Sequence, residues 1–242
     1  RFLGCLFKRY NLTKCNMDIF SDSYNIFIEF NEKFIGIVFL SLYISILATI
    51  IATAVSLYIC SLLIIKNFIG KNFILLIINS LMSLPPVVVG LVLYIIFSYS
   101  GVLGFLEILY TPTIMILAQI IIVVPIIISL SYTSLLIKYN DLDEYLVSIN
   151  TSNVKKIFTI IRECKFELMI IIVTGLGRAL SEVGAVIIVG GNIANMTRVM
   201  TTSIVLETSR GELALALSLG ITLISFAIII NLLIYLIKKR YL

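Results

Sequence analysis

Four stretches of this chain, Phe34 to Ile65, Asn72 to Leu106, Ile108 to Ile137 and Leu213 to Ile237, contain no Asp, Glu, Lys or Arg. A fifth, Leu168 to Met196, is interrupted by Arg178 and Glu182 alone. A helix that crosses a bilayer takes about 20 mainly apolar residues, and every one of these stretches is long enough. The pattern predicts five transmembrane helices in an all-α integral membrane protein with no soluble domain of its own. In the first stretch Ser41, Ser45, Thr49, Ala52 and Ser56 form a small-residue stripe, which lets helices approach closely in lipid. The second contains Ser83-Leu84-Pro85-Pro86, whose prolines lack backbone donors and force a kink or a break. Whether that break serves packing or a transport path stays open. Pro125 is expected to interrupt the third stretch similarly, with Gln119 a lone polar group ahead of it.

Between the third and fourth stretches lies a charge-rich, amphipathic island that ends at Glu167. It reads as helix, turn, helix. Asp141 and Asp143 are expected to precede a helical run, where acid suits the positive end of the helix dipole. Asn150-Thr151-Ser152-Asn153 is turn chemistry, with Ser152 or Asn153 capping a helix over Val154 to Ile161. There Val154, Ile157, Phe158 and Ile161 share one face, with Lys155, Lys156 and Arg162 off it. Such a helix either lies on the lipid surface or projects as an elbow into a soluble partner. The Asn-rich turn favours the elbow.

The mean hydropathy of +1.14 and the 60% hydrophobic content agree with a membrane protein. The net charge of +5 implies no nucleic-acid partner, because the cations flank the apolar stretches. Lys66 and Lys71, the island's Lys138, Lys155, Lys156, Arg162 and Lys165, and the tail Lys238-Lys239-Arg240 mark cytoplasmic segments. The amino terminus, with Asp18, Asp22, Glu29 and Glu32, then lies outside a cell membrane crossed several times. The loop Gly191 to Glu212 breaks the rule, because Arg198 and Arg210 fall outside. Residues 1–16 lack the apolar core of a signal peptide and are expected to be an upstream or trimmed extension, with the membrane domain at 17–242. Cys5, Cys15, Cys60 and Cys164 share no metal-ligand spacing and are expected as reduced thiols, and histidine is absent. No metal site is expected.

Arg178 and Glu182 lie four apart on one helical face and can pair. At membrane depth they serve either as a structural pair or as anion contacts. Gly177, Ser181 and Ala185 make an adjacent small face suited to helix packing. Gly190-Gly191-Asn192 ends the fourth stretch, either as a turn or as a nest of backbone N–H groups for an anion. Thr197, Arg198, Thr201 and Thr202 follow, a hydroxyl-rich and weakly positive segment.

Glu144-Tyr145-Leu146, Asn150 and the apolar-basic helix to Arg162 resemble the cytoplasmic coupling motif of ABC-importer permeases. That motif runs Glu-Ala-Ala, three residues, Gly, then a variable helix closed by Pro. Here Tyr145 and Leu146 replace the alanines, Asn150 the glycine and Glu163 the proline; Asn tolerates the left-handed turn next best after Gly. Leu84 to Gly90, and Gly177 to Ala185 running on to Gly190-Gly191-Asn192, are similar to the permeases for tetrahedral oxyanions such as molybdate, sulfate and tungstate. Thr197 to Thr202 and Leu206 to Glu212 are most similar to the tungstate-importing members, and the likeness covers Met17 to Leu242.

The resemblance implies a type I importer. Two copies of the chain form the pathway, two cytoplasmic ABC ATPases bind ATP and Mg and drive it, and an extracytoplasmic binding protein delivers the anion. Coupling to the ATPase then falls to Asp143, Glu144, Asn150, Thr151, Ser152 and Lys155. The pathway falls to Arg178, Ser181, Glu182, Gly190, Gly191, Asn192, Thr197, Arg198, Thr201 and Thr202. No Gly-rich loop ending in Lys-Ser or Lys-Thr occurs, so the chain is expected to hold no cofactor and hydrolyse nothing itself. Arg198 is expected to attract the dianion or to pair with an acid on the delivering protein. A secondary transporter would show embedded carboxylates or a repeat, and Glu182 is thin support for one. A membrane enzyme would need a catalytic constellation, which the chain does not offer.

Overall fold

Breaks, rather than continuous spans, set the architecture. The computed structural model describes residues 32–66, 68–148 and 151–241, and among these residues it is helical with no strand. In chain order the helices are α1 (Glu32–Ile65), α2 (Lys71–Leu81), α3 (Pro86–Phe97), α4 (Pro112–Ser148) and α5 (Asn153–Glu163). They continue with α6 (Lys165–Leu180), α7 (Gly184–Gly190), α8 (Met200–Arg210) and α9 (Leu213–Tyr241). The expected extension 1–16, with Cys5 and Cys15, lies outside the described residues.

The helices α1, α4 and α9 are each long and apolar enough to cross a membrane. The pair α2–α3 bends by 99° and the pair α6–α7 by 56°, so among the described residues the candidate crossings number three, or up to five if each bent pair is one span. The second stretch breaks where Pro85-Pro86 is expected to break it, whereas the fourth is not the single helix its hydropathy predicts. The first bend has a plain cause. Pro85 stays extended, at φ −62° and ψ 123°, and Pro86 opens α3 at a position where a missing N–H costs nothing.

Pro125 behaves differently and leaves α4 continuous from Pro112 to Ser148. Its neighbourhood is shared with α1, where Ser56 Oγ donates to the Val124 carbonyl at 3.2 Å and the Cys60 thiol to the Ile128 carbonyl at 3.4 Å. Both bonds tie α4 to α1 on either side of the proline; the carbonyl that Pro125 leaves without its helical donor is that of Ile121. The small-residue stripe of α1 is buried throughout, from Ser41 to Ser56, and is the seam against α4. Because α4 runs to Ser148, Asp141 and Asp143 lie inside its last turns and do not start a new helix.

Apolar clusters hold the two ends. At one end Leu63 and Ile64 of α1 meet Leu135 of α4, Ile157 and Ile160 of α5, and Cys164. At the other, Ile44, Met115, Leu93 and Phe97 meet Val186 and Val189 of α7. A third cluster, with Leu180, Met200, Leu219 and Ile230, fastens α9. The Lys66 loop and the charged island thus share one end of the bundle.

The close helix approach is not at Gly177, Ser181 and Ala185 as a set. A Cβ on Gly177 would meet Ile230 at an ordinary 3.7 Å, and Ser181 is exposed. Instead α3 and α7 touch backbone to backbone: a Cβ on Gly90 would lie 2.8 Å from Ala185 Cα, and one on Gly184 2.6 Å from Val87 Cγ2. Overpacking of this kind costs about 1–3 kcal/mol. Gly90→Ala should lower the apparent melting temperature of the detergent-purified protein. Gly36→Ala, with nothing within 4 Å of the added methyl, should not. Equal melting of the two variants would exclude a tight α3–α7 contact.

Candidate functional site

The break between Leu180 and Gly184 is stitched closed by side chains from several helices. Ser181 Oγ donates to the Arg178 carbonyl at 3.0 Å. Gln119 Nε2 of α4 donates to the Ala179 carbonyl at 3.2 Å. Thr201 Oγ1 of α8 donates to the Glu182 carbonyl at 2.9 Å, and Glu182 Oε1 accepts the Ala185 N–H at 3.2 Å. Ser41 of α1 accepts the Met200 N–H at 2.7 Å, which ties α8 to the same place. A broken helix in lipid survives only where protein groups replace its lost ladder. Gln119, Ser181, Glu182 and Thr201 supply such groups here.

Arg178 and Glu182 do pair, at 3.6 Å. The Glu182 side chain is 3% exposed and the Arg178 side chain 39%, so the carboxylate is interior and the guanidinium reaches the surface. Ser181 is the other exposed polar group at the break.

The turn after α7 is built from its own polar groups. Gly191 ends α7 at φ 67°, and its N–H returns to the Ile187 carbonyl at 3.0 Å. Asn192 also takes a positive φ, 52°. Thr197 Oγ1 donates to the Gly190 carbonyl and accepts the Ile193 N–H at 2.9 Å. Thr202 Oγ1 lies 2.9 Å from Asn192 Oδ1, while Asn192 Nδ2 donates to the Thr202 carbonyl at 3.3 Å. Thr197, Thr201 and Thr202 are all buried. Their hydroxyls hold the turn and α8 in place.

Arg198 is not a free surface cation. It lies 3.8 Å from Glu207 of α8, and Arg210 approaches the same carboxylate at 3.5 Å. Glu207 is buried, with its side chain 7% exposed. Both arginines that break the charge rule thus share one interior acid. Sequence reading missed Glu207, although its spacing of three from Arg210 in a helix was a usable signal.

At the island end, α5 turns two faces rather than one. Ile157 and Ile160 are buried against α1, whereas Val154 and Phe158 stand 79% and 69% exposed. Lys155 is exposed as well. Lys156, expected off the packed face, is buried because Asp143 Oδ1 waits 2.8 Å from its Nζ. The Lys156 hydrogen bond holds the Asp143 carboxyl below its usual range, against the opposing effect of burial. Burial pushes the Cys164 thiol up to about 12, which keeps it protonated. Ser152 caps α5 through its carbonyl, which accepts the Lys156 N–H at 2.9 Å, and its side chain adds no cap bond. Thr151 is half-buried beside it. The side chain of Glu144 and the whole of Asn150 lie outside the described residues.

These features define a multi-pass helical membrane subunit, with a broken span joined to an elbow that exposes apolar side chains. No protein-family model matches the chain. It is 40% identical, over 91% of its own length and 97% of the relative's, to the tungstate uptake system permease protein TupB of Peptoclostridium acidaminophilum. It is 39% identical to the TupB of Campylobacter jejuni over 70% of the chain and 71% of that protein. With a "probable anion ABC transporter permease protein" of Haloferax volcanii it shares 33% identity over 81% of the chain and 87% of that protein. The chain belongs to the tungstate uptake permease family, the membrane subunits of ABC transporters.

Two measurements bear on this geometry. Thr201→Val removes a buried donor and leaves the Glu182 carbonyl unpaired, which should cost about 1–3 kcal/mol in a reversible detergent-denaturation titration. Thr201→Ser should recover most of it, and an unaffected valine variant would contradict the stitched break. The second concerns pH. Because the folded Asp143 carboxyl sits below its ordinary value, the contribution of its bond to Lys156 is complete above that value and is lost only as pH falls through the lowered one. Hydrogen-exchange protection over residues 153–163, taken relative to the intrinsic rate at each pH, should therefore be unchanged between neutral and mildly acidic pH in the native chain. Asp143→Asn should raise exchange across that whole range.

Proposed function

We propose that this chain is the membrane-spanning subunit of an ATP-driven importer of tungstate. The observation that carries the proposal is the 40% identity to a tungstate uptake permease that runs through 97% of that protein. The functional unit in this reading is two copies of the chain, two cytoplasmic ABC ATPases that bind ATP and Mg, and an extracytoplasmic binding protein. The chain itself carries no phosphate-binding loop and no cofactor, and its amino terminus faces outward with the carboxyl terminus inside.

The elbow α5 is the docking element for the ATPase. Val154 and Phe158 are the apolar contacts it offers, with Lys155 as a polar one, and Glu144 joins the coupling surface from the sequence motif before the turn. Asp143, Thr151, Ser152 and Asn150 belong to the support and turn that aim it. The buried face of α5 transmits the movement of the ATPases to α1 and α4, and its carboxyl end leads through Cys164 into α6 and the break. ATP at one end and the loaded binding protein at the other bias the same two conformations, which is what coupling requires.

The pathway in this proposal passes the exposed side of the break, where Ser181 and the Arg178 guanidinium meet solvent. Glu182 neutralises part of the arginine charge, so an anion is attracted without being trapped. Gly190, Gly191, Asn192, Thr197, Thr201 and Thr202 shape the outer wall of that route, and Arg198 contributes through its bond to Glu207.

Reconstituted vesicles containing the chain with its ATPase and binding protein supply the test. Tungstate uptake should require ATP and should continue without an ion gradient; uptake driven by a gradient alone would overturn the proposal. In the same vesicles Glu144→Lys and Phe158→Ala should each abolish most of the ATPase stimulation by tungstate-loaded binding protein, with the chain still in the membrane. Wild-type stimulation in both variants would remove the elbow from the coupling path.

A further inference from the structure

We infer that the break in the α6–α7 span holds one buried water molecule, bonded to Gln119 Oε1 and Ser45 Oγ, as a working part of the joint. The first observation is an orphan acceptor. Gln119 is 4% exposed, and its Oε1 finds no hydrogen-bond donor among the described residues. Exchanging the two ends of the amide does not remove the problem. The end facing Ala179 meets a backbone carbonyl at 3.2 Å, which can only accept, so that end must be the NH₂ and the oxygen must point away. A buried acceptor left unpaired costs about 1–3 kcal/mol.

The second observation is a cavity at the right place. Ser41, Ser45, Gln119, Glu182 and Thr201 line a space with about 10 Å³ of room for the centre of a water-sized sphere. That is roughly what one water needs, provided the site offers two or more polar partners. Gln119 Oε1 is an acceptor for it. The Ser45 hydroxyl receives only a long 3.5 Å contact from Gln119 Nε2, which leaves its own proton to give. Ser41 Oγ and the Glu182 carboxylate edge the same space for the second water hydrogen.

A cation fits less well than a neutral donor. Glu182 is the one carboxylate on the cavity wall, and its charge is already met by Arg178 at 3.6 Å and the Ala185 N–H at 3.2 Å. The amide end of Gln119 and the Met200 N–H at Ser41 add further donors to the same neighbourhood. A water balances the set, and a monovalent ion leaves it over-positive. The placement also gives the molecule a use. It joins α1, α4, the break and the start of α8, so it can exchange partners as these helices shift, where a direct bond would have to stretch.

The test is a structure of the purified transporter, with its ATPase subunits, at a resolution that shows ordered waters, together with a thallium-soaked counterpart. A density peak within hydrogen-bonding distance of Gln119 Oε1 and Ser45 Oγ, with no thallium signal, is the expected result. A dry cavity or a thallium peak there would overturn the inference. In solution, radiolytic hydroxyl labelling reads the same feature, because a bound water labels the side chains beside it. Leu180 should label several-fold less in Gln119→Leu than in the native chain, with exposed Phe158 unchanged. Should that variant not assemble, Ser45→Ala takes its place with the same expectation. Equal labelling of Leu180 in the native chain and the variant that assembles would sink the idea.

Discussion

Backbone groups at membrane depth must find partners inside the protein, and at Ser181 to Val183 a helix gives up its own. Everything near that point is arranged to supply them. Gln119 comes from α4, Thr201 from α8, and Glu182 turns back on the Ala185 N–H. Ser41 holds α8 close enough for Thr201 to reach. Each unsatisfied group in lipid costs several kcal/mol, far more than a typical net hydrogen bond returns in water. The break is therefore a junction where four elements must meet, and moving one of them disturbs the partners of the rest.

Charge is handled by the same economy of partners. Glu182 and Glu207 are both buried, and each faces arginine. Arg178 reaches the surface at the break, and Arg210 reaches it at the end of α8. Interior acid with arginine at the rim lowers the cost of the buried carboxylate and leaves a moderated positive field facing out. Such a field suits a dianion that has to arrive and then leave. The two arginines that look anomalous as loop charges are ordinary once Glu207 is placed between them.

Long apolar runs were readable from sequence because hydropathy over twenty residues is a strong signal, and Pro85-Pro86 announces its own bend. The second break was hidden. Ser181-Glu182-Val183 contains neither proline nor glycine, and the side chains that bond to the backbone at the break, Gln119 and Thr201, are distant in sequence. Pro125 misleads in the opposite sense, since α4 runs on through it as one helix. The helix α8 was invisible as a helix because its buried face is made of Thr201, Thr202, Ser203 and Glu207, which read as loop. Lys156 could not be assigned without Asp143, whose place in the long α4 is set by tertiary continuity. The elbow and the oxyanion-type segments were legible as a pattern; which of their side chains face inward was not.

A mechanical consequence links the two ends. The elbow α5 has one buried face on α1 and α4 and connects through Cys164 straight into α6, which ends at the break. Under the proposed coupling, a push on Val154 and Phe158 would reach Leu180 through α6, with only one turn, at Cys164, between them. At the break the ladder no longer carries it onward, and side-chain bonds to α4 and α8 do. Those bonds can rearrange between two sets of partners more cheaply than a continuous helix can bend. A break placed at that depth separates α6 from α7, and the Gly90–Ala185 contact on its far side packs α7 closely against α3.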